Sequence, residues 1–246
     1  MDTPPADRTR HLNWEPCWNT RDLGGLPTTD GRQTRWRALI RSDHLDDLTP
    51  AGRRALLDYG AIVDLRWPTE LAAAGPAFPG GRPGEPQYHN VPLDRHNPAA
   101  DPLLAAAQSR AGAYRILLEF YPHALAEALQ AVADAPPGGV VVHCRGGVDR
   151  TAIVTAAALR LAGVTDGAIA ADYALTLERV RPLYERLLAE RGEAGLGFWD
   201  RLNMTADQML DTLAYVDARY GGLESYLRRA GLSDAAMERI RARLRE

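Results

Sequence analysis

Cys144 stands between a histidine and a pair of glycines, in the nonapeptide HCRGGVDRT at residues 143–151. A short β-branched run, GVVVH (139–143), leads into it, and TAIVTAAAL (151–159) leads out with a helical look. A turn entering a helix aims several backbone N–H groups at one point, and the helix dipole adds positive potential there. Gly146 and Gly147 let the backbone curl without a Cβ in the way. Arg145, Gly146, Gly147 and Val148 would line such a nest, which suits a tetrahedral anion. Arg150 can hold two phosphate oxygens with its planar fork. The same positive surroundings favour the thiolate of Cys144, ready to attack phosphorus in line. Thr151 can donate its hydroxyl to that sulfur, and His143 can fix the turn from behind. Asp149 is a carboxylate inside the loop, able to protonate a leaving alcohol and then to activate water against a phospho-cysteine. The plainer alternative is a buried cysteine beside a structural histidine at a strand end.

These residues need a frame. ALIRSD (38–43), AIVDLR (61–66) and YHNVPL (88–93) read as strands besides GVVVH. Between the first two, Thr49 and Pro50 suit a helix start and Gly60 a stop. Residues 76–86 are dense in proline and glycine and predict a loop. Apolar spacing over 111–134 predicts a helix that Pro122 kinks, with His123 packed in the core. The helix after the cysteine loop runs to Gly163, and the C-terminal third is helical apart from 193–203, where Phe198 and Trp199 suit a lid or a hydrophobic plug. Strands alternating with helices predict an α/β fold: a small, mainly parallel sheet flanked by helices, with a helical C-terminal part. One domain over 1–246 is expected.

The net charge of −3 points neither to nucleic acid nor to a membrane surface. All 29 basic residues are arginine; there is no lysine. No apolar run near the start suits a signal peptide and none approaches the length of a span, so a cytoplasmic location without a membrane anchor is expected. Cys17 and Cys144, the two cysteines, are expected to be free thiols, with Cys17 simply buried.

HCRGGVDRT resembles the active-site loop of the cysteine-dependent protein tyrosine phosphatase superfamily, in particular of the bacterial tyrosine/serine and lipid phosphatases whose loop reads HCxxGKDRT. NTRDLGG (19–25), RSD (41–43), VDLRWPTE (63–70) and ARYGGLESYLRRAGLSD (218–234) are similar to further elements of that family, so the likeness covers nearly the whole chain. The resemblance implies Cys144 as nucleophile, Arg150 as phosphate clamp, Asp149 as general acid, and no metal or other cofactor. Arg21 and Asp22 would brace the loop or its rim, against a plain surface ion pair. Val148 replaces the family's loop lysine, which is associated with highly charged phosphoinositides, so the resemblance does not extend that activity to this chain.

The expected activity is hydrolysis of phosphate monoesters through a cysteinyl-phosphate, with phosphotyrosine protein as the default substrate. A small phosphorylated metabolite, such as a nucleotide or sugar phosphate, is the alternative partner; the sequence leaves the oligomeric state open. Asp94, after the third strand, is the rival general acid. A catalytically silent phosphate-binding module would not need the complete Cys144, Asp149, Arg150 and Thr151 set, and a sulfur transferase would have no use for Asp149.

Overall fold

The computed structural model describes residues 9–76, 78, 82–195 and 203–246. Five strands form one sheet in the order β1-β2-β5-β3-β4: β1 (Arg21–Asp22), β2 (Leu39–Ser42), β3 (Tyr59–Asp64), β4 (Gln87–Asn90) and β5 (Gly139–His143). All neighbours are parallel except β1, which runs antiparallel to β2 at the edge.

The three valines of β5 explain its central place. In a strand successive side chains alternate faces, and all three here are fully buried. Val140 and Val142 join Leu39, Ala61 and Val63 in the larger core. That core is closed by α4 (Arg110–Phe120), α5 (Pro122–Asp134), α6 (Asp149–Leu161), α7 (Asp166–Arg191), α8 (Ala206–Tyr220), α9 (Leu223–Arg229) and α10 (Asp234–Leu244). Val141 points the other way, with Ile40 and Ile62, onto Trp14, Leu45, Leu48 and Leu56. Leu56 belongs to α1 (Pro50–Leu56), whose N-cap Thr49 accepts from Gly52 N. Two short helices, α2 (Pro68–Ala74) and α3 (Asp101–Ala105), follow β3 and β4.

The single kinked helix expected over 111–134 is two helices. Tyr121 leaves helical geometry (φ −126°, ψ 39°), and Pro122 opens α5 where its missing N–H costs nothing. His123 is exposed, not packed in the core, and its Nδ1 meets Ala230 O at 2.9 Å. Residues Phe198 and Trp199 lie outside the described residues. No helix among the described residues is long and apolar enough to cross a membrane.

The parallel order brings the C-terminal ends of β2, β3, β4 and β5 to one edge of the sheet, where ligands of such folds bind. At the opposite end β5 starts in a pinch: a Cβ on Gly139 would lie 1.9 Å from Arg37 O and 2.8 Å from Tyr59 Cδ1. Gly167, in the first turn of α7, has nothing within 4 Å of such a Cβ. Gly139→Ala is therefore expected to destabilise the fold by about 1–3 kcal/mol or more through overpacking. Gly167→Ala should raise stability by about 0.4–1 kcal/mol. Denaturant unfolding checks both, and equal effects would contradict the pinched strand end.

Candidate active site

The turn after β5 is shaped by what holds its carbonyls. His143 O accepts from Leu65 N at 2.9 Å, Arg145 O from His44 N at 3.0 Å, and Val148 O from Ala152 N at 3.1 Å. Asn19 Nδ2 reaches Gly146 O at 3.2 Å and Gly147 O at 2.8 Å, and Arg41 Nη2 adds a second bond to Gly147 O at 2.8 Å. In a trans peptide the N–H points opposite to the preceding C=O. Tying back the carbonyls of 145, 146 and 147 therefore turns the N–H groups of Gly146, Gly147 and Val148 to the other side. None of these three donates to a protein acceptor among the described residues. Gly147 makes the turn possible: its φ is +62°, and a Cβ there would sit 2.5 Å from Ser42 O. Gly146 is less constrained, since its Cβ would meet only Val148 Cγ2 at 3.4 Å.

Asn19 and Arg41 are in turn held by one carboxylate. Asp172 of α7 is 2% exposed and receives Arg21 Nε at 2.9 Å and Arg41 Nη1 at 3.0 Å, with Arg10 also at 3.0 Å. Arg21 Nη1 then donates to Asn19 Oδ1 at 2.6 Å, which orients the amide so that its nitrogen faces the loop. Burial works against ionisation of Asp172, but Arg21 and Arg41 outweigh it and hold the carboxyl well below the usual range. Burial, with Arg21 beside it, pulls Arg41 down to about 10, still a cation at neutral pH.

Arg150, in the first turn of α6, is aimed by Glu70 of α2. Nη1 and Nη2 bind Glu70 Oε2 and Oε1 at 2.6 and 3.0 Å, and Nη1 also reaches Leu65 O at 3.3 Å. The fork end expected to grip phosphate is thus taken by protein. The edge formed by Nε and the second Nη2 hydrogen carries no protein partner among the described residues, and it offers the same paired-donor geometry. Burial opposes the charge on Arg150, while Glu70, Cys144 and Asp94 raise its pKa. Burial likewise opposes ionisation of Glu70, and Arg150 overcomes it, keeping the carboxyl below its usual range.

Two aspartates approach this centre. Asp149 pairs with the buried Arg110, and Tyr114 donates to its Oδ1 at 2.8 Å; the Tyr173 hydroxyl lies 2.8 Å behind Tyr114. Asp94 lies 3.8 Å from Arg150 Nη1 and accepts from Trp67 Nε1 at 2.8 Å. Burial pushes the Asp94 carboxyl up, against the pull of Arg150 and Trp67.

A buried cysteine thus directly precedes a turn whose N–H groups have no protein acceptor among the described residues, and one edge of Arg150 is open as well. The family model described as "Tyrosine phosphatase family" matches residues 12–246. The chain belongs to that family. The triple specificity protein phosphatase of Mycobacterium tuberculosis is 28% identical, over 92% of this chain and 95% of its own length. A Cupriavidus necator protein provisionally named a tyrosine-protein phosphatase is 30% identical over 94% and 88%. A tyrosine-protein phosphatase of Nostoc commune is 27% identical over 84% and 74%.

Within this phosphatase framework the residues singled out in the sequence have these places. Cys144 is 3% exposed, and His143 is buried with Nδ1 3.3 Å from Cys144 O and Nε2 3.5 Å from Asp64 Oδ2. Burial lowers the His143 pKa, leaving the ring neutral behind the turn. Arg145 is exposed, and Val148 contributes its backbone to the turn while its side chain packs against the larger core. Thr151 departs from expectation: its hydroxyl is buried without a partner, and it is its carbonyl that is engaged, by Thr155 Oγ1 at 2.8 Å. Arg21 and Asp22 are both buried and take separate partners. Arg21 braces the loop through Asn19, whereas Asp22 ties the β1 turn by accepting from Gly24 N and Arg37 N, each at 2.8 Å. Cys17 is a half-buried free thiol that donates to His44 O at 3.3 Å; burial and Asp43 push it up to about 12.

Sequence reading gave no role to Asn19, Arg41 and Glu70, although each stands in a quoted motif segment. It missed Asp172, Arg110, Tyr114 and Tyr173 altogether. Two variants separate loop geometry from stability. Asn19→Ala should lower kcat/KM by about 10²-fold through misplacement of the turn. Its stability cost should be about 1 kcal/mol for the lost bonds. Asp172→Asn, which strips the charge partner from buried guanidinium groups, should cost about 3–5 kcal/mol. Paired kinetics and melts check this; near wild-type activity in Asn19→Ala would show that the carbonyl ties do not shape the site.

Proposed function

We propose that this chain hydrolyses phosphate monoesters, phosphotyrosine in protein first among them, through a cysteinyl-phosphate on Cys144. The observation that carries this reading is the turn around Cys144, with three N–H groups free of protein acceptors and one edge of Arg150 open. Such donors are worth most against the charge that builds on equatorial phosphate oxygens in the transition state. The Cys144 thiolate attacks phosphorus, the bond to the phenol oxygen breaks, and an acid gives that oxygen its proton. Water then attacks phosphorus, passes a proton to a base, and the thiolate leaves with its electron pair restored. Free thiols at both Cys17 and Cys144 fit a reducing, cytoplasmic compartment for this chemistry.

Asp149 suits the base of the second step, because Arg110 and the Tyr114 hydroxyl hold its carboxyl group in one orientation inside the loop. In the family reading it also supplies the proton of the first step. A second reading gives that proton to Asp94, and one observation favours it: burial raises the Asp94 carboxyl, so it keeps its proton to higher pH than an ordinary aspartate. The two readings part on leaving-group dependence. If Asp94 is the acid, Asp94→Asn lowers kcat about 10²–10⁴-fold on a phosphotyrosine peptide and far less on p-nitrophenyl phosphate, whose phenol needs little protonation. Asp149→Asn then slows both substrates alike, since loss of phosphate from the enzyme is common to them. A leaving-group-dependent loss in Asp149→Asn, with Asp94→Asn near wild type, assigns the acid to Asp149 instead.

A further inference from the structure

A cavity opens next to the segment that ties back the carbonyls of the loop. It has a volume of about 660 Å³ and is walled by the 11–18 segment, residues 47–49 and one side of α7. Two short links join its wall to the loop. Trp18, on its wall and 43% exposed, precedes Asn19, which holds Gly146 and Gly147; Trp18 N is itself fixed by Asp43 Oδ2 at 2.9 Å. His44, three residues before Asp47, holds Arg145 O.

The lining has a consistent chemistry. Glu15, Asp47 and Glu178 bring three carboxylates, none with an ion-pair partner among the described residues, against one guanidinium, Arg179. His11 does not add to the positive side: burial and Arg179 lower its pKa, and its buried Nδ1 has no hydrogen-bond partner. Pro182 lies inside α7 and has no N–H, so the carbonyl of Glu178 lacks its helical donor on this same wall. Unpaired carboxylates, the spare Glu178 carbonyl and an exposed indole together suit an organic cation. They oppose a second phosphate.

We propose that this cavity takes a cationic side chain, arginine or lysine, of the phosphotyrosyl substrate while the phosphate occupies the turn around Cys144. The proposal rests on the reading of that turn as a phosphotyrosine site and names the sequence class it selects. An extended chain advances about 3.3 Å per residue, so the position at which a basic residue acts measures the span from the phosphotyrosine to the wall.

A set of phosphotyrosine peptides in an alanine background tests it, with arginine moved one position at a time on either side and glutamate at the same places. At the best position kcat/KM should exceed that of the all-alanine peptide by about tenfold, the combined size of a cation–π contact and part-exposed ion pairs. Glutamate there should fall below alanine. In Glu15→Gln/Glu178→Gln the arginine advantage should shrink toward unity, with turnover of p-nitrophenyl phosphate unchanged. Hydrolysis of the alanine peptide with no arginine advantage at any position, or an advantage that survives in the double variant, overturns the cavity's role and leaves the turn's role standing. Turnover of p-nitrophenyl phosphate with no phosphotyrosine peptide accepted overturns the phosphotyrosine reading itself.

Discussion

The donor cradle depends on the carbonyls behind it. A peptide unit has two polar ends, and a loop can present its N–H groups to an anion only if something else satisfies and fixes its C=O groups. Here the fixing donors are the Asn19 amide, the Arg41 guanidinium and the His44 N–H. Two of the three lead back to Asp172, a single buried carboxylate that gathers Arg21 and Arg41 on one side of the sheet. Burying these charges is costly, and a pairing of this kind adds little net stability compared with apolar packing. What it contributes is position: it sets the direction in which the N–H groups of Gly146, Gly147 and Val148 point.

The same division of labour holds around Arg150. Glu70 binds the end of the guanidinium and leaves its side edge open, so the arginine is aimed before any substrate arrives. Glu70 also accepts from Trp67 N at 2.9 Å, and the Trp67 indole binds Asp94, so the start of α2 carries both the anchor of Arg150 and a support of Asp94. On the opposite side of the loop Arg110 and Tyr114 fix Asp149. Each chemically competent group is thus held by a second side chain on a different element, all gathered where the parallel strands end.

How much of this the sequence revealed follows from the distance over which each interaction acts. GVVVH and the helix after it were readable because burial and period are local properties, and the cysteine loop was readable because its residues are consecutive. The two-residue β1 was not, since its pairing is decided by β2 and not by any pattern of its own. The break at Tyr121 was half visible: Pro122 announces a boundary, but a kink and a restart look alike in sequence. Asp172 and Arg41 are 131 residues apart, and a lone aspartate in a helix reads as a solvated face. Arg110 was hidden for the same reason, 39 residues from the carboxylate it holds. Val148 lends the turn its backbone while its side chain packs against the larger core, a split that residue type alone does not reveal.

The proposed chemistry turns on the Cys144 sulfur receiving the phosphoryl group. Wild-type enzyme mixed with a phosphotyrosine peptide, quenched in acid within a turnover and digested, should yield one phosphoryl group on the peptide that contains Cys144. That species should accumulate further in Asp149→Asn, where the water step is slowed. Steady turnover with no phosphorylated enzyme peptide in either protein, or with the phosphoryl group on another residue, would contradict the account.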